Sequence, residues 1–333
     1  MSFVLVTGGA GYIGSHAVKE LLRKGYQPIV YDNLQTGHRR AVKGALLIEE
    51  DLSNRERLRQ TFRSYTIRAV MHFAGDCLVE ESVKNPIKYF KNNLSNSIQL
   101  LEVMEEFHVN RIVFSSSAAV YGEPLSIPIS EEHPCVPTNP YGETKWMFER
   151  ILQTSFRAGK VNYISLRYFN AAGADPKAEL GEDHDPETHL IPLVLRAALM
   201  GHPIFIFGTD YDTPDGTCIR DYIHVTDLAH AHLLALQKLE QGRYSGVYNL
   251  GNGEGHSVKE VIEVARKVTG RKIAVIESPR RPGDPSCLIA SSEKIKRELG
   301  WEPVYHGLET IVQTAWNWHQ NHLKCVKRGQ ATF

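Results

Sequence analysis

The sequence predicts an α/β fold: a doubly wound parallel sheet with helices on both faces, followed by a smaller α/β lobe. Three observations carry this prediction. Short apolar runs alternate with helical patterns through the first half, the first of those runs leads directly into a glycine-rich turn, and the texture changes after Asn170 into a stretch rich in Gly, Pro, Asp, Glu and Ala. The division is accordingly placed at 1–170 for the first domain and 171–333 for the second lobe, with segments near 215–250 expected to return to the first domain.

Phe3 to Thr7 (FVLVT) is a short β-rich run. It leads into Gly8-Gly9-Ala10-Gly11-Tyr12-Ile13-Gly14 and then into a helical pattern from Ser15 to Arg23. Strand, glycine turn and helix make the opening unit of a Rossmann-type dinucleotide-binding fold. The glycines let the backbone approach a pyrophosphate, and a helix N-terminus favours its charge. The spacing is G-x-x-G-x-x-G rather than G-x-G-x-x-G, and taken alone it reads equally well as an ordinary glycine turn. The next apolar run, Pro28 to Tyr31, ends in Asp32, about where this fold sets a carboxylate on the adenosine ribose. A carboxylate there repels a 2′-phosphate, so the reading is NAD rather than NADP; a turn or cap is the plain alternative. Arg39 and Arg40 come too late to replace Asp32. An apolar run at Ala45 to Ile48 closes at Glu50-Asp51-Leu52, and Ser53 or Asn54 can cap a helix to about Tyr65. A strand over Ala69 to Phe73 ends in Ala74-Gly75, and a long helix runs from Pro86 to Phe107. A strand over Arg111 to Phe114, a helix over Tyr141 to Ala158 and a strand over Val161 to Arg167 complete the half.

Ser115-Ser116-Ser117 follows one of these strands, and Tyr141-Gly142-Glu143-Thr144-Lys145 opens a helix. A tyrosine and a lysine four residues apart share a helix face. A phenol is a poor base at its normal pKa of about 10, but a neighbouring positive charge favours the phenolate. With a serine hydroxyl to share the proton, this is a device for deprotonating an alcohol. Y-x-x-x-K is common by chance, so its weight comes from position. Ligands of doubly wound sheets bind at the carboxyl ends of strands. Gly8 to Gly14, Asp32, Asp51, Phe73-Ala74-Gly75, Ser115 to Ser117 and Tyr168 all fall at such ends and would gather on one rim.

Residues 171–189 read as a loop crossing to the second lobe. A helix is expected over Leu190 to Met200, a strand over Pro203 to Phe207 and a polar loop over Gly208 to Asp221. A helix then runs to Leu239, with a strand at Val247 to Leu250, a helix at Ser257 to Val268, a strand at Lys272 to Ile276 and a loop at Pro279 to Pro285. Helices from Ser292 and His306 close the chain, with the last eight or so residues polar and prone to fray. Lys and Arg number 38 and Asp and Glu 38, so the net charge of +0 gives no electrostatic case for nucleic acid or an anionic membrane. No apolar run approaches a membrane span, no signal segment is read before the first strand, and five scattered cysteines without C-x-x-C suit a reduced, cytoplasmic protein. The Asp210, Asp212, Asp215 stretch is a poor calcium loop, with Pro214 at the fifth position. His230 and His232 are two apart on a helix and cannot share a face. No metal is expected, and His224 reads as structural.

The motifs TGGAGYIGSH, YDNL around Asp32, HFAG at 72–75, SSSAAVYG at 115–122, NPYGETK at 139–145, LRYFNAAG at 166–173, GTCIRDYIHVTDLA at 216–229, YNLGNG at 248–253 and RRPGD at 280–284 extend over nearly the whole chain. In these the chain resembles the extended short-chain dehydrogenase/reductase family and, within it, the UDP-hexose 4-epimerases. The resemblance implies NAD held tightly and regenerated each turnover, with UDP-glucose or UDP-galactose oxidised and re-reduced at C4. Tyr141 would be the base, Lys145 would favour its phenolate and bind the nicotinamide ribose, and Ser117 would bridge the 4-OH and the tyrosine. The resemblance places Gly8, Gly11, Tyr12, Ile13, Gly14, Asp32, Asn33, Asp51, Leu52, Phe73, Ala74, Gly75, Asn92, Ser115 and Phe169 at the cofactor. It places Asn170, His189, Leu190, Phe205, Ile206, Phe207, Arg220, Arg281, Asp284 and Leu288 at the nucleotide sugar, Arg220 and Arg281 as pyrophosphate clamps. It also implies a homodimer through helices 86–107 and 141–158. Two positions depart from the family. Cys77 stands where many members have a lysine near the nicotinamide. Leu288 stands where some have a tyrosine beside the sugar, which leaves room for an N-acetyl group at C2. A 4,6-dehydratase would need an Asp-Glu pair after the serine, where this chain has Ala118-Ala119. UDP-glucuronate or UDP-pentose 4-epimerisation, a cofactor-releasing reductase and a non-catalytic NAD-binding regulator are the remaining alternatives.

Overall fold

A computed structural model of the chain describes residues 2–281 and 284–327, with the backbone alone for 323–327. The first half runs β1 (Phe3–Thr7), α1 (Tyr12–Arg23), β2 (Pro28–Asp32), β3 (Leu46–Glu49), α2 (Arg55–Ser64), β4 (Ile67–His72), α3 (Val79–Lys84), α4 (Pro86–Tyr89), α5 (Asn96–Glu106), β5 (Arg111–Ser117), α6 (Pro140–Arg157) and β6 (Asn162–Tyr168). The second half runs β7 (Asn170–Ala172), α7 (Leu190–Met200), β8 (Ile204–Phe207), β9 (Ile219–His224), α8 (Val225–Glu240), β10 (Ser245–Leu250), β11 (Gly255–Ser257), α9 (Val258–Thr269), β12 (Val275–Ser278), β13 (Cys287–Leu288), α10 (Glu293–Leu299) and α11 (Leu308–Lys327).

Seven parallel strands form the main sheet in the order β10-β6-β5-β4-β1-β2-β3. Its central strand β1 is apolar from Phe3 to Val6 because both faces of the sheet are covered; Val4, Leu5 and Val6 are all fully buried. One face packs Val4, Val6 and Val30 against α1 and α8, through Val18, Leu21, Leu228, Leu233 and Leu236. The other packs Leu5, Ile29 and Val70 against α2, α5 and α6, through Leu58, Leu100, Val103, Phe148 and Leu152. Strand order reverses between β1 and β4, and the crevice of such a sheet opens at that point.

The second lobe has a sheet of order β11-β9-β13, with β7 added beside β9, and a separate β12-β8 pair. Its core lies between α7, α9 and α11, around Val194, Leu195, Val261, Ile262, Ile311 and Val312. β10 and α8 lie with the first sheet although they follow three strands of the second lobe.

The structure differs from the sequence reading in places. The helix expected over Pro86 to Phe107 is interrupted by a π-helical stretch at Phe90–Ser95. The polar loop expected to end at Asp221 gives way to β9 from Ile219, since Ile219 and Asp221 pair with Ser257 and Gly255 of β11. The strand expected at Lys272 to Ile276 is shifted to β12, whose register is set by β8. β7 and α3 were not anticipated. Of the expected loop at Pro279 to Pro285, Pro282 and Gly283 lie outside the described residues, as do residues 328–333 of the polar C-terminus.

Candidate active site

The glycine turn joins β1 to α1 at the crevice. Gly8 N donates to Tyr31 O at 2.9 Å, and Gly11 N to Gly8 O at 3.3 Å. Gly14 admits no side chain, because a Cβ would lie 2.2 Å from Gly8 O, so its glycine is demanded by the close approach of α1 to the turn. Gly11 is different: a Cβ there would meet only Gly8 O at 3.5 Å, an ordinary contact. Nothing among the described residues requires glycine at that position, which precedes α1 without a side-chain cap or an acidic residue in the first turn. A helix start stripped of its own capping groups, and open beside it, suits a phosphate. The residues present therefore fit a dinucleotide.

Asp32 is 8% exposed and accepts from Ala10 N at 2.9 Å and Leu34 N at 2.8 Å. Burial raises its pKa, while the two backbone donors work against that rise. Its carboxylate thus holds the glycine turn itself, the turn-capping role that the sequence offered as the alternative to ribose binding. Asn33 Nδ2 donates to Asp51 Oδ2 at 2.6 Å, which places both beside the end of β2, and Leu52 is buried behind them. Phe73 N and Ala74 N both donate to Thr7 O, at 2.9 and 3.1 Å, so the ends of β4 and β1 converge at Gly75. Asn92 lies in the π-helical stretch. The neighbouring Asn93, missed in the sequence, is buried and both accepts from Asp76 N at 2.8 Å and donates to Asp76 O at 2.9 Å. The Asn92-Asn93 pair within a helical pattern was the available signal.

Two expected cofactor residues direct their side chains into the protein. The Tyr12 hydroxyl donates to Gly173 O at 2.7 Å, tying α1 to the second lobe, and Ile13 packs into the core beside β1. Only their backbone groups, at the start of α1, can face a phosphate.

Tyr141 and Lys145 sit on the first turns of α6. Asn139 caps that helix by accepting from Gly142 N at 2.9 Å, and Pro140 occupies its first turn, where no N–H is missed. Tyr141 is 8% exposed and Lys145 5%. Lys145 Nζ lies 5.7 Å from the centre of the Tyr141 ring and donates to Ser115 O at 2.9 Å. Burial lowers the Lys145 ammonium to about 8, against the opposing effect of Cys77 and Glu149. Burial raises the Tyr141 phenol strongly, Tyr168 and Cys77 raise it further, and the Ser117 hydroxyl works in the other direction. Ser117 also accepts from Ala119 N at 3.1 Å, which fixes the turn after β5. Ser115 Oγ shares a hydrogen bond with the Tyr168 hydroxyl, and Ser116 Oγ, on the opposite face of β5, donates to Glu149. Behind α6, Arg167 grips Glu149 through Nη2–Oε2 at 2.6 Å and Nε–Oε1 at 3.0 Å and donates to the Tyr121 hydroxyl at 2.9 Å.

Phe169 is buried with Val120 and Tyr121. Asn170 Nδ2 donates to Asp221 O at 3.0 Å, and Asp221, fully buried, accepts from Asn252 N, Gly253 N and Ala290 N at 2.8, 3.0 and 3.1 Å. Arg220 pairs with Asp284 and donates to its neighbour Ile219 O at 2.7 Å. Arg281 lies over the Phe207 ring at 4.0 Å. In β8, Phe205 is 47% exposed while the Ile206 side chain is in the second-lobe core, so of the Phe205-Ile206-Phe207 run the side chain of Ile206 cannot meet a ligand. Leu288 pairs in register with Arg220 and packs beside Phe169, while His189 and Leu190 begin α7. His224 is structural, holding Thr314 and the start of α8.

A doubly wound sheet whose uncapped glycine turn and Tyr-Ser-Lys cluster meet at one crevice defines a Rossmann-type dinucleotide-binding protein. The sequence profile of the NAD dependent epimerase/dehydratase family matches residues 4–251, and the chain belongs to that family. A curated relative from Halalkalibacterium halodurans, a UDP-glucose 4-epimerase, is 55% identical over 320 residues, which cover 96% of each protein. The UDP-glucose 4-epimerase of Brucella ovis, solved in complex with NAD, is 46% identical with a TM-score of 0.92 over 95% of this chain and 98% of that one. The UDP-Glc/GlcNAc 4-epimerase of Campylobacter jejuni is 42% identical with a TM-score of 0.83 over 96% of this chain and 100% of that one.

Proposed function

We propose that this chain is an NAD-dependent isomerase that inverts C4 of a UDP-hexose, interconverting UDP-glucose and UDP-galactose in galactose metabolism, with Tyr141 as the base. The observation that carries the reading is the cluster of buried Tyr141 and Lys145 with half-buried Ser117 at the rim that also holds Gly11 and Asp32. Gly8, Gly11 and the first turn of α1 would hold the pyrophosphate of NAD. Asp32 and Asn33 would hold its adenosine ribose, with Asp51, Leu52, Phe73, Ala74, Gly75, Asn92, Ser115, Lys145 and Phe169 around the rest. NAD, when bound, supplies reversible removal and return of the hydrogen on C4.

The chain's own residues manage the proton. Tyr141 Oη takes it from the 4-OH through or beside Ser117 and returns it after the sugar has turned. The buried phenol resists ionisation, so the charge of Lys145, retained below a pH of about 8, is what makes the transfer accessible. Ala118 and Ala119 supply no acid for eliminating water, which leaves oxidation and re-reduction as the outcome. Arg220 and Arg281 would clamp the UDP pyrophosphate, Arg220 loosening its pairing with Asp284, which would turn to the uridine ribose. Asn170, His189, Leu190, Phe205 and Phe207 would line the uridine side. A homodimer is proposed through helices 86–107 and 141–158, which expose Ile87 and Met147. No helix among the described residues is long and apolar enough to cross a membrane, and a cytoplasmic location is proposed.

The test is a coupled assay of UDP-galactose conversion with Tyr141→Phe as the variant. The expected loss in kcat is about 10²–10⁴-fold, and an undiminished rate would overturn the assignment of Tyr141. A second substrate is favoured by Leu288: lacking a tyrosine there, the site accepts UDP-N-acetylglucosamine. Failure of the wild-type enzyme to epimerise that sugar while converting UDP-glucose sinks this extension.

A further inference from the structure

At the edge of the crevice, where His184 lines the same pocket as Gly11 and Ser15, the segment joining β7 to α7 carries the pattern E-x-H-x-x-E-x-H, at Glu182, His184, Glu187 and His189. One donor atom from each lies within 4.8 Å of the other three. His184 Nδ1 is 3.1 Å from Glu182 Oε1 and 4.0 Å from Glu187 Oε1, and His189 Nδ1 is 2.7 Å from Glu182 Oε1 and 3.1 Å from Glu187 Oε1. A tetrahedral ion with bonds of about 2.0–2.1 Å needs its donors about 3.3 Å apart, within the range these distances span.

The charge arrangement points the same way. The Glu182 and Glu187 side chains are 4% and 1% exposed, and two buried carboxylates converging on one point need a cation between them. The nearest guanidinium, Arg196 Nη2, stands 4.0 Å from Glu187 Oε2, and that oxygen has no hydrogen-bond partner among the described residues. Protonated histidines would offer one Nδ1–H each to Glu182 and Glu187, and Thr188 N and His189 N donate to Glu187 Oε1, but none of these reaches Glu187 Oε2. An ion at the centre meets all four donors.

We propose that Glu182, His184, Glu187 and His189 bind one divalent transition-metal ion, zinc by the chemistry of the set. Two imidazoles with two carboxylates suit zinc, and four protein donors leave no open position, which makes the ion structural rather than catalytic. It fastens a segment that has few regular hydrogen bonds of its own. His184 sits edge-on to Tyr12 at 6.3 Å between ring centres, and His189 immediately precedes α7, so the ion links the start of α1 to the start of α7.

The experiment is elemental analysis of untagged protein purified without added metal, with cobalt substitution of the chelator-stripped protein. About one equivalent of zinc per chain and the visible absorption of tetrahedral cobalt are expected. Glu187→Gln and His184→Ala should each weaken zinc binding by more than about 10-fold, the lower figure for losing even an outer-shell partner. Wild-type protein that holds less than about a tenth of an equivalent and gives no cobalt spectrum overturns the site. So does undiminished zinc in a folded His184→Ala, Glu187→Gln double variant. The wild-type measurements decide the matter even where a variant does not fold.

Discussion

Gly14 and Leu288 show what one side chain can decide here. A methyl group at residue 14 would strike Gly8 O at 2.2 Å, so Gly14→Ala must push the turn away from α1 at a cost of about 1–3 kcal/mol. The expected result is an enzyme that folds but is eluted from gel filtration depleted of NAD, read from the nucleotide released on denaturation. Leu288→Tyr should restrict the sugar pocket, cutting turnover of UDP-N-acetylglucosamine at least about 10-fold while sparing UDP-glucose, on the scale of 1–3 kcal/mol that pocket shape decides. These residues were legible in the sequence because glycine spacing and motif position survive without coordinates. A turn-capping use of Asp32 was legible too, but its partners were not. Its bonds to Ala10 N and Leu34 N arise from the path of two turns, which no spacing rule specifies. The Glu182–His189 cluster was overlooked for the opposite reason, since its four donors are close in sequence but lie in a segment with no helical or strand period to bring them together.

The helix that carries the base is held from behind. Glu149 and Arg167, 3% and 4% exposed, form a bidentate pair that locks α6 to β6 and, through Ser116, to β5. Removing one partner leaves a buried charge alone, so Glu149→Leu should cost about 3–5 kcal/mol in denaturant unfolding and lower kcat through misplacement of Tyr141. A milder loss belongs to α9. Its capping box joins Ser257 and Glu260, and Ser257→Ala should cost about 1 kcal/mol without affecting turnover. At this scale the sequence located most strands and helices within a few residues. It lost the π-helical turn at Phe90–Ser95, because a single extra residue in a helix barely disturbs apolar periodicity. It also misplaced β9 and β12, short strands specified by partners far along the chain rather than by their own residues.

Across the molecule, several buried histidines set the response to acid. Burial lowers His72 to about 3 and His16 and His232 to about 4. The unfolded chain, with histidine near 6.5, then binds more protons than the folded one once the pH falls below that value. Their contribution is fully present above pH 6.5 and is lost as the pH falls toward 4. Asp221, raised to about 6 by burial against its backbone donors, acts in the opposite sense: its contribution is present below about 3.8 and is lost as the pH rises through 6. The histidines outnumber it, so stability measured in denaturant should fall between pH 6.5 and 4.5. His232→Leu should flatten that fall by about 2 kcal/mol, and an unchanged slope would show that His232 titrates normally.

The return of β10 and α8 to the first sheet has a consequence for how this molecule can be taken apart. Truncation after β6 would strip Leu228, Leu233 and Leu236 from one face of the sheet and leave β6 as a bare edge. Neither lobe is a module that can be lifted out with one cut. A chimera that borrows another enzyme's sugar specificity must be joined at no fewer than three places, on either side of α8 and β10 as well as after β6. A gene encoding such a protein therefore changes its substrate by point substitution far more readily than by shuffling.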